Sequence, residues 1–78
     1  MNLQETENYS PGSIRTMMED YMEEMKPQMY QELNEKGKLM KFLIPKSERA
    51  MDMLNGLMEA GYQENEAWEV VSKEIVYF

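Results

Sequence analysis

Apolar side chains recur three and four residues apart over positions 14–25, and this spacing restricts the fold of the chain more than any other feature. They are Ile14, Met17, Met18, Tyr21, Met22 and Met25. With about 100° between successive residues, these positions share one side of an α-helix. The opposite side is acidic and holds Glu19, Asp20, Glu23 and Glu24. The pattern predicts an amphipathic helix whose apolar side packs against other helices.

Proline and glycine divide the middle of the chain into further short segments. Pro27 either ends the first helix or begins a second one that runs to Lys36, because proline lacks the amide hydrogen that a helix interior needs. Gly37 suits the left-handed conformation that follows a helix end. The length of the apolar run 39–44 does not decide whether it is helical or extended, and Ile44, just before Pro45, is biased toward an extended conformation. We favour a short helix.

Two more helices are predicted in the C-terminal half. Ser47 is the expected N-cap of a helix that ends at Gly61. Its apolar stripe is Ala50, Met51, Leu54, Leu57 and Met58. Gly56 lies inside this helix, where it either allows a neighbouring helix to approach or is simply tolerated. Asn65 is the expected N-cap of the last helix, whose apolar positions are Trp68, Val71, Ile75 and Phe78. A strand over 75–78 is the alternative, because these residues favour β-structure.

The first eight residues are polar and have no period, so we predict a disordered arm over residues 1–12 and a single helical domain over residues 13–78. Residues 9–12 are predicted to form a turn before an N-cap at Ser13. Ser10, followed by Pro11 at the first helical position, is the rival start. The predicted fold is all-α: a small bundle of three to four short helices with a disordered N-terminal arm.

Histidine and cysteine are both absent from the 78 residues. The chain therefore lacks the commonest general base, the thiol nucleophile and the two commonest zinc ligands. Its serines have no imidazole to activate them. The carboxylates lack both the Glu-x-x-His spacing of dinuclear sites and the spacing of an EF-hand. We expect no catalytic residues, no cofactor, no metal site and no enzymatic activity.

The acidic side of the first helix is one candidate partner-binding surface. It comprises Glu19, Asp20, Glu23 and Glu24. Like charges four residues apart destabilise a helix by roughly 0.2–0.5 kcal/mol per pair. The functional interpretation is a surface for a cationic partner, or an imitation of nucleic-acid phosphates. The alternative is an ordinary solvated helix face.

Five of the eight cationic side chains lie between positions 36 and 49, which makes this segment the candidate nucleic-acid-binding site. The candidate residues are Lys36, Lys38, Lys41, Phe42, Lys46 and Arg49. The cations would contact phosphates while the ring of Phe42 stacks on a base. The net charge of −7 argues against a dedicated DNA-binding protein. The alternative is that the basic segment neutralises its acidic flanks.

The chain contains ten methionines. Flexible, polarisable methionines form adaptable binding surfaces, but they also fill gaps in cores. Because most of them occupy helical core positions, we favour core packing, with an exposed remainder that leaves a homodimer open.

Several stretches of the chain together resemble a known family. They are Ile14-Arg-Thr-Met-Met-Glu-Asp-Tyr-Met-Glu-Glu-Met-Lys-Pro27, Met29-Tyr-Gln-Glu-Leu-Asn-Glu-Lys-Gly-Lys-Leu39, then Phe42-Leu43 and Arg49-Ala50, and finally Ala67-Trp68 and Lys73-Glu-Ile-Val-Tyr77. These stretches are similar to the TnpV-like proteins that bacterial transposons and conjugative elements encode. The resemblance implies a mobile-element accessory protein with a small helical architecture and no established enzymatic activity. Roles in excision or DNA binding are suggested for that family.

We therefore predict a non-enzymatic accessory protein of a bacterial mobile genetic element that binds a protein partner stoichiometrically. One alternative is an excisionase-type factor that binds DNA through residues 36–49. Another is an acidic, anti-CRISPR-like inhibitor of a nucleic-acid-binding enzyme. The N-terminus lacks the regions of a signal peptide, and no window approaches the roughly 20 apolar residues of a spanning helix. We expect a cytoplasmic protein without membrane association.

Overall fold

A computed structural model describes residues 9–78, and these residues form four α-helices followed by a π-helical turn. The elements are α1 (Pro11–Met25), α2 (Pro27–Glu35), α3 (Leu39–Glu59), α4 (Glu64–Val71) and the π-helical turn (Ser72–Val76). The part of the chain from 9 to 78 contains no strand, so the all-α prediction is confirmed and the alternative of a strand over 75–78 is wrong. Residues 1–8, which make up most of the predicted arm, lie outside the described residues.

Helix α1 begins at Pro11, two residues before the predicted domain start. Ser10 is its N-cap: the Ser13 amide donates to Ser10 Oγ at 3.1 Å, and the Ser10 amide donates to Ser13 Oγ at 2.8 Å. Each serine thus satisfies an amide that the first helical turn leaves without an internal partner. The predicted N-cap at Ser13 and the predicted turn over 9–12 are wrong, and the rival start at Ser10 is confirmed.

A single residue, Lys26, separates α1 from α2. Pro27 is the first residue of α2, as one of the two predictions had it, because its missing amide hydrogen costs nothing at that position. At the other end of α2, Gly37 has φ +66°, as expected for the left-handed residue after a helix. The amide of Lys38 donates to the carbonyl of Leu33 at 2.8 Å, which completes the helix stop.

Helix α3 runs through Pro45 without a break for 21 residues. The helical conformation predicted for 39–44 is confirmed, but this stretch is the start of α3 and not a separate short helix, and the predicted N-cap at Ser47 is wrong. Pro45 lies on the exposed side, so the carbonyl of Lys41, which loses its helical donor, is left facing solvent. On the other side α3 buries five side chains: Leu39, Leu43, Ser47, Ala50 and Leu54. A proline costs about 3 kcal/mol inside a helix, whereas full burial of each leucine contributes roughly 1.5–3 kcal/mol.

Two small residues of α3 have roles that differ from simple sequence rules. Ser47 is buried, and its hydroxyl donates to the carbonyl of Ile44 at 2.9 Å rather than capping a new helix. Gly56 has no atom within 4 Å of the position of an added Cβ, so it is tolerated and accommodates no neighbour. As predicted, Gly61 follows the end of this helix, and its φ is +109°.

The C-terminal helix begins two residues earlier than predicted and ends in a wider turn. Gln63 is the N-cap, and its amide donates to Glu66 Oε1 at 3.0 Å, so the predicted N-cap at Asn65 is wrong. After Val71 the chain forms a π-helical turn, in which the Tyr77 amide donates to the Ser72 carbonyl at 2.8 Å.

The core lies between α1, α3 and the C-terminal segment. Its buried apolar residues are Ile14, Met18, Met22, Leu39, Leu43, Ala50, Leu54, Ala67, Val71, Ile75 and Val76. Helix α2 has no buried residue; its Met29, Tyr30 and Leu33 are only half-buried. No helix of residues 9–78 combines the length and the apolar character that crossing a membrane requires.

We predict that Pro45→Ala raises the free energy of unfolding by about 1–2 kcal/mol, which is part of the ~3 kcal/mol cost of a helical proline. Alanine restores an amide that donates to the Lys41 carbonyl, although it also lets the unfolded chain explore more conformations. Urea unfolding followed by far-ultraviolet circular dichroism measures the change. Glu48→Ala, on the exposed side of the same helix, is the control and should change stability by less than about 0.5 kcal/mol. Equal or lower stability of Pro45→Ala would show that α3 is not continuous through this position.

Candidate functional site

The ring of Phe78 lies at the centre of an aromatic cluster that joins α1, α3 and the C-terminal segment. Its centroid is 5.7 Å from the ring of Tyr21 and 5.8 Å from the ring of Phe42, both in edge-on arrangements. The Tyr21 hydroxyl donates a hydrogen bond of 2.6 Å to the Phe78 carbonyl. Tyr77 packs on Tyr21 with its ring centroid at 5.3 Å. These contacts place the last residues of the chain against the surface that holds the predicted sites.

The predicted basic segment does not form one continuous surface. Lys36 and Lys38 lie in the connection between α2 and α3, and both are exposed. Lys41 and Lys46 are separated by about 140° around α3, since an α-helix has 3.6 residues per turn. Arg49 follows Lys46 by three residues, so these two cations share a flank of the helix.

Phe42, the ring that was predicted to stack on a base, has other contacts. It is half-buried, and the ammonium group of Lys46 lies 5.2 Å from its centroid. Its edge-on neighbour is Phe78. The ammonium group of Lys46 therefore occupies space over the ring in which a base would stack. The nucleic-acid-binding hypothesis for residues 36–49 stays a prediction, and these contacts do not support its stacking component.

Lys26 is a charged residue of this region that the sequence did not single out. Its ammonium group lies 5.5 Å from the centroid of Phe78, and that of Lys46 lies 5.2 Å from the same centroid. Both lysine side chains are half-buried. The two positions are twenty residues apart, and their convergence depends on how α1, α3 and the C-terminal segment pack. A local sequence pattern contains no signal for such a contact.

The carboxylates on the acidic side of α1 have two different surroundings. Glu19 is half-buried, and the hydroxyl of Tyr30 in α2 donates to its Oε2 at 3.5 Å. Asp20 and Glu24 are exposed and line a surface groove of about 270 Å³ together with Met17, Tyr21 and Tyr77. Part of the predicted partner-binding surface therefore supports α2, and the other part remains free to face a partner.

Tyr30 also faces Glu23, and the two carboxylates change its acidity. The hydrogen bond with Glu23 is the largest cause that raises the pKa of Tyr30 above its ordinary value of 10.0; burial and Glu19 act in the same direction. An ionised phenolate would be repelled by both carboxylates, so the neutral hydroxyl is favoured. This interaction joins the acidic side of α1 to α2.

A second groove lies at the bend between α1 and α2. It has a volume of about 410 Å³ and is lined by Met25, Lys26, Pro27, Gln28 and Met29. The side chain of Met25 is 65% exposed, the largest exposure among the large apolar residues that the structure describes. We call this feature the elbow groove. Its flexible apolar side chains are Met25 and Met29, and the nearby charges are the ammonium group of Lys26 and the carboxylates of Glu23 and Glu24.

Within residues 9–78 no group of three or more carboxylates is close enough to hold a metal ion. Comparison of the chain with models of protein families, with curated proteins and with solved structures finds no match. The function must therefore be argued from the surfaces described above.

We predict that Glu23→Gln lowers the pKa of Tyr30 toward its ordinary value, because the variant removes the negatively charged partner of the phenol. In the wild type, the raised pKa means that folding favours the neutral hydroxyl of Tyr30. This contribution to stability is complete below the ordinary pKa of 10.0, and it is lost as pH rises through the raised pKa of Tyr30 in the folded protein. NMR titration of ¹³C-labelled tyrosine rings resolves Tyr30 from the other four. Glu59→Gln is the control and should leave Tyr30 unchanged. An unaltered titration in Glu23→Gln would contradict the contact.

We predict that Tyr21→Phe lowers the free energy of unfolding by about 0.5–1.5 kcal/mol, the usual contribution of one hydrogen bond. The ring remains in the aromatic cluster, and only the donor to the Phe78 carbonyl is lost. Urea unfolding measures the effect, with the exposed Tyr62→Phe as the matched control. If both variants lose the same stability, the Tyr21 hydroxyl does not anchor the end of the chain.

Proposed function

We propose that this chain is a non-enzymatic accessory protein that binds a protein partner stoichiometrically through the elbow groove and the acidic side of α1. The observation that supports this most directly is the 65% exposure of Met25 in the wall of the elbow groove. A small protein that leaves a large apolar side chain exposed beside a groove has apolar surface available for a partner.

The composition of the elbow groove favours a protein over a rigid small molecule as the occupant. Met25 and Met29 line it, and methionine side chains adapt to apolar partners of different shapes. Helix α2 forms one side of the groove and has no fully buried residue. A partner that packs against this side would therefore complete the burial of Met29.

The charges around the elbow groove define the chemistry of the partner. Glu23 and Glu24, both exposed, come directly before Met25 in α1. The partner should present an apolar side chain for the groove and cationic side chains for these carboxylates. Such charges accelerate encounter and select the partner, while the apolar contact provides most of the affinity.

The resemblance to TnpV-like proteins adds a biological setting to this proposal, an accessory role on a bacterial mobile genetic element. Both alternatives stay predictions. Lys38, Lys41 and Arg49 are exposed, as an excisionase-type DNA-binding factor needs, but the ammonium group of Lys46 lies over the ring of Phe42. Asp20 and Glu24 are exposed, as an acidic inhibitor of a nucleic-acid-binding enzyme needs. The exposed methionines favour protein binding over these two.

We predict that Met25→Asp weakens partner binding by about tenfold or more, because apolar residues at the centre of an interface dominate its affinity. The partner is first isolated from a bacterial host with immobilised wild-type chain and then purified. Isothermal titration calorimetry gives the affinity and the stoichiometry.

Met40→Asp is the matched control, since Met40 is 44% exposed but belongs to α3 and does not line the elbow groove. Circular dichroism should show that both variants remain folded. Equal affinity of Met25→Asp and the wild type would exclude the elbow groove as the interface. Steeply salt-dependent binding to duplex DNA that is lost in Lys38→Glu/Lys41→Glu would favour the excisionase alternative instead.

A further inference from the structure

Two tyrosine rings and two carboxylates line the same groove between α1 and the C-terminal segment. The lining residues are Met17, Asp20, Tyr21, Glu24 and Tyr77, and the volume is about 270 Å³. We call this feature the tyrosine groove. Pockets that bind drug-sized molecules have volumes of about 300–1,000 Å³. The tyrosine groove is smaller, and its size suits a single side chain of a partner.

The two rings of the tyrosine groove are held at a fixed angle. Their centroids are 5.3 Å apart, and their planes are inclined by 60°. The Tyr21 hydroxyl is held by its hydrogen bond of 2.6 Å to the Phe78 carbonyl. The Tyr77 backbone is held by the hydrogen bond of 2.8 Å from its amide to the Ser72 carbonyl. Because the face of an aromatic ring attracts positive charge, paired rings of this kind suit a cationic group.

The carboxylates of the tyrosine groove add negative charge beside these rings. Asp20 and Glu24 are exposed and lie four residues apart in α1, so they are neighbours on the helix surface and repel each other. No residue from 9 to 78 forms an ion pair or a hydrogen bond with either carboxylate. A cation bound in the groove would relieve this repulsion and would contact the rings as well.

We propose that the tyrosine groove binds an arginine side chain of the protein partner. This inference rests on the proposed protein-binding function and names the cationic residue that the partner presents. A guanidinium group is planar and stacks on aromatic rings, and its five donors can reach two carboxylates at once. The ammonium group of lysine is strongly hydrated and has three donors, so it gains less from such a site. Since Met25 directly follows Glu24 in α1, one partner segment can contact both grooves.

A third groove, on α2, allows the contribution of the rings to be separated from that of the charges. It has a volume of about 250 Å³ and is lined by Gln28, Gln31, Glu32 and Glu35. It thus has two carboxylates, as the tyrosine groove does, but none of its four lining residues is aromatic. If charge alone determined binding, an arginine side chain would occupy both grooves equally. We expect it to occupy the tyrosine groove.

The test is a titration of the full-length ¹⁵N-labelled chain with acetyl-arginine amide, followed by NMR at constant ionic strength. We expect saturable shifts of the amide signals of Asp20, Tyr21, Glu24 and Tyr77, and no saturable shift of the signals from the α2 groove. Acetyl-citrulline amide has nearly the same shape without the charge and should produce no saturable shift. Acetyl-lysine amide has the same charge and should bind about threefold more weakly or worse.

Two variants remove one part of the tyrosine groove each. Glu24→Gln and Tyr77→Ala should weaken binding of acetyl-arginine amide by about three- to fivefold, the effect of losing one exposed ion pair or one cation–π contact. Tyr77→Phe retains the ring, and Glu35→Gln removes a carboxylate from the α2 groove instead. Both of these controls should bind within about twofold of the wild type.

Three results would overturn the proposal: no saturable shift with acetyl-arginine amide, equally tight binding of acetyl-lysine amide, or equal losses in Glu24→Gln and Glu35→Gln. Met25→Asp should bind acetyl-arginine amide as the wild type does, because Met25 does not line the tyrosine groove. The arginine probe thus reports on the tyrosine groove alone, whereas partner binding by Met25→Asp reports on the elbow groove. Either groove can fail its test without the other.

Discussion

Burial of one side of α3 is the interaction on which the other elements depend. Leu43 and Leu54 are fully buried between α1 and the C-terminal segment, and Leu39 is nearly so. This burial keeps α3 helical through Pro45, although the proline removes one hydrogen bond. A break at that position would rotate the first part of α3 away from the core. It would also separate Phe42, which lies before Pro45, from Lys46 and from the ring of Phe78, so the continuity of the helix determines the site as well as the fold.

The sequence predicted those parts of the fold in which local and tertiary signals agree. The apolar spacing of α1 and the glycine at position 37 each led to the observed element. Predictions failed where two local signals competed. Ser10 and Ser13 are both good N-caps, and only the fixed φ of Pro11 favours the earlier start. Pro45 predicted a helix end, and Ser47 was therefore interpreted as the N-cap of the next helix. The stabilisation that α3 gains by packing against the core depends on distant residues, so that short stretch does not indicate it.

Less of the candidate site than of the fold could be predicted, for a related reason. The acidic positions of α1 follow from helical periodicity, which is local. Periodicity does not predict which of these carboxylates contacts α2 and which faces solvent. This depends on the bend at Lys26, which brings Tyr30 of α2 to Glu19. The contact of Lys26 with Phe78 joins residues that are distant in the sequence. A sequence pattern can thus name charged surfaces, but the pairing of charges across elements requires the packed structure.

Lys26 belongs both to the elbow groove and to the aromatic cluster around Phe78. It lines the groove, and its ammonium group lies over the ring of Phe78. A partner bound in the elbow groove would therefore contact a residue that also contacts the C-terminal segment. The bend between α1 and α2, which a single residue forms, thus joins the proposed interface to the packing of α1, α3 and the C-terminal segment.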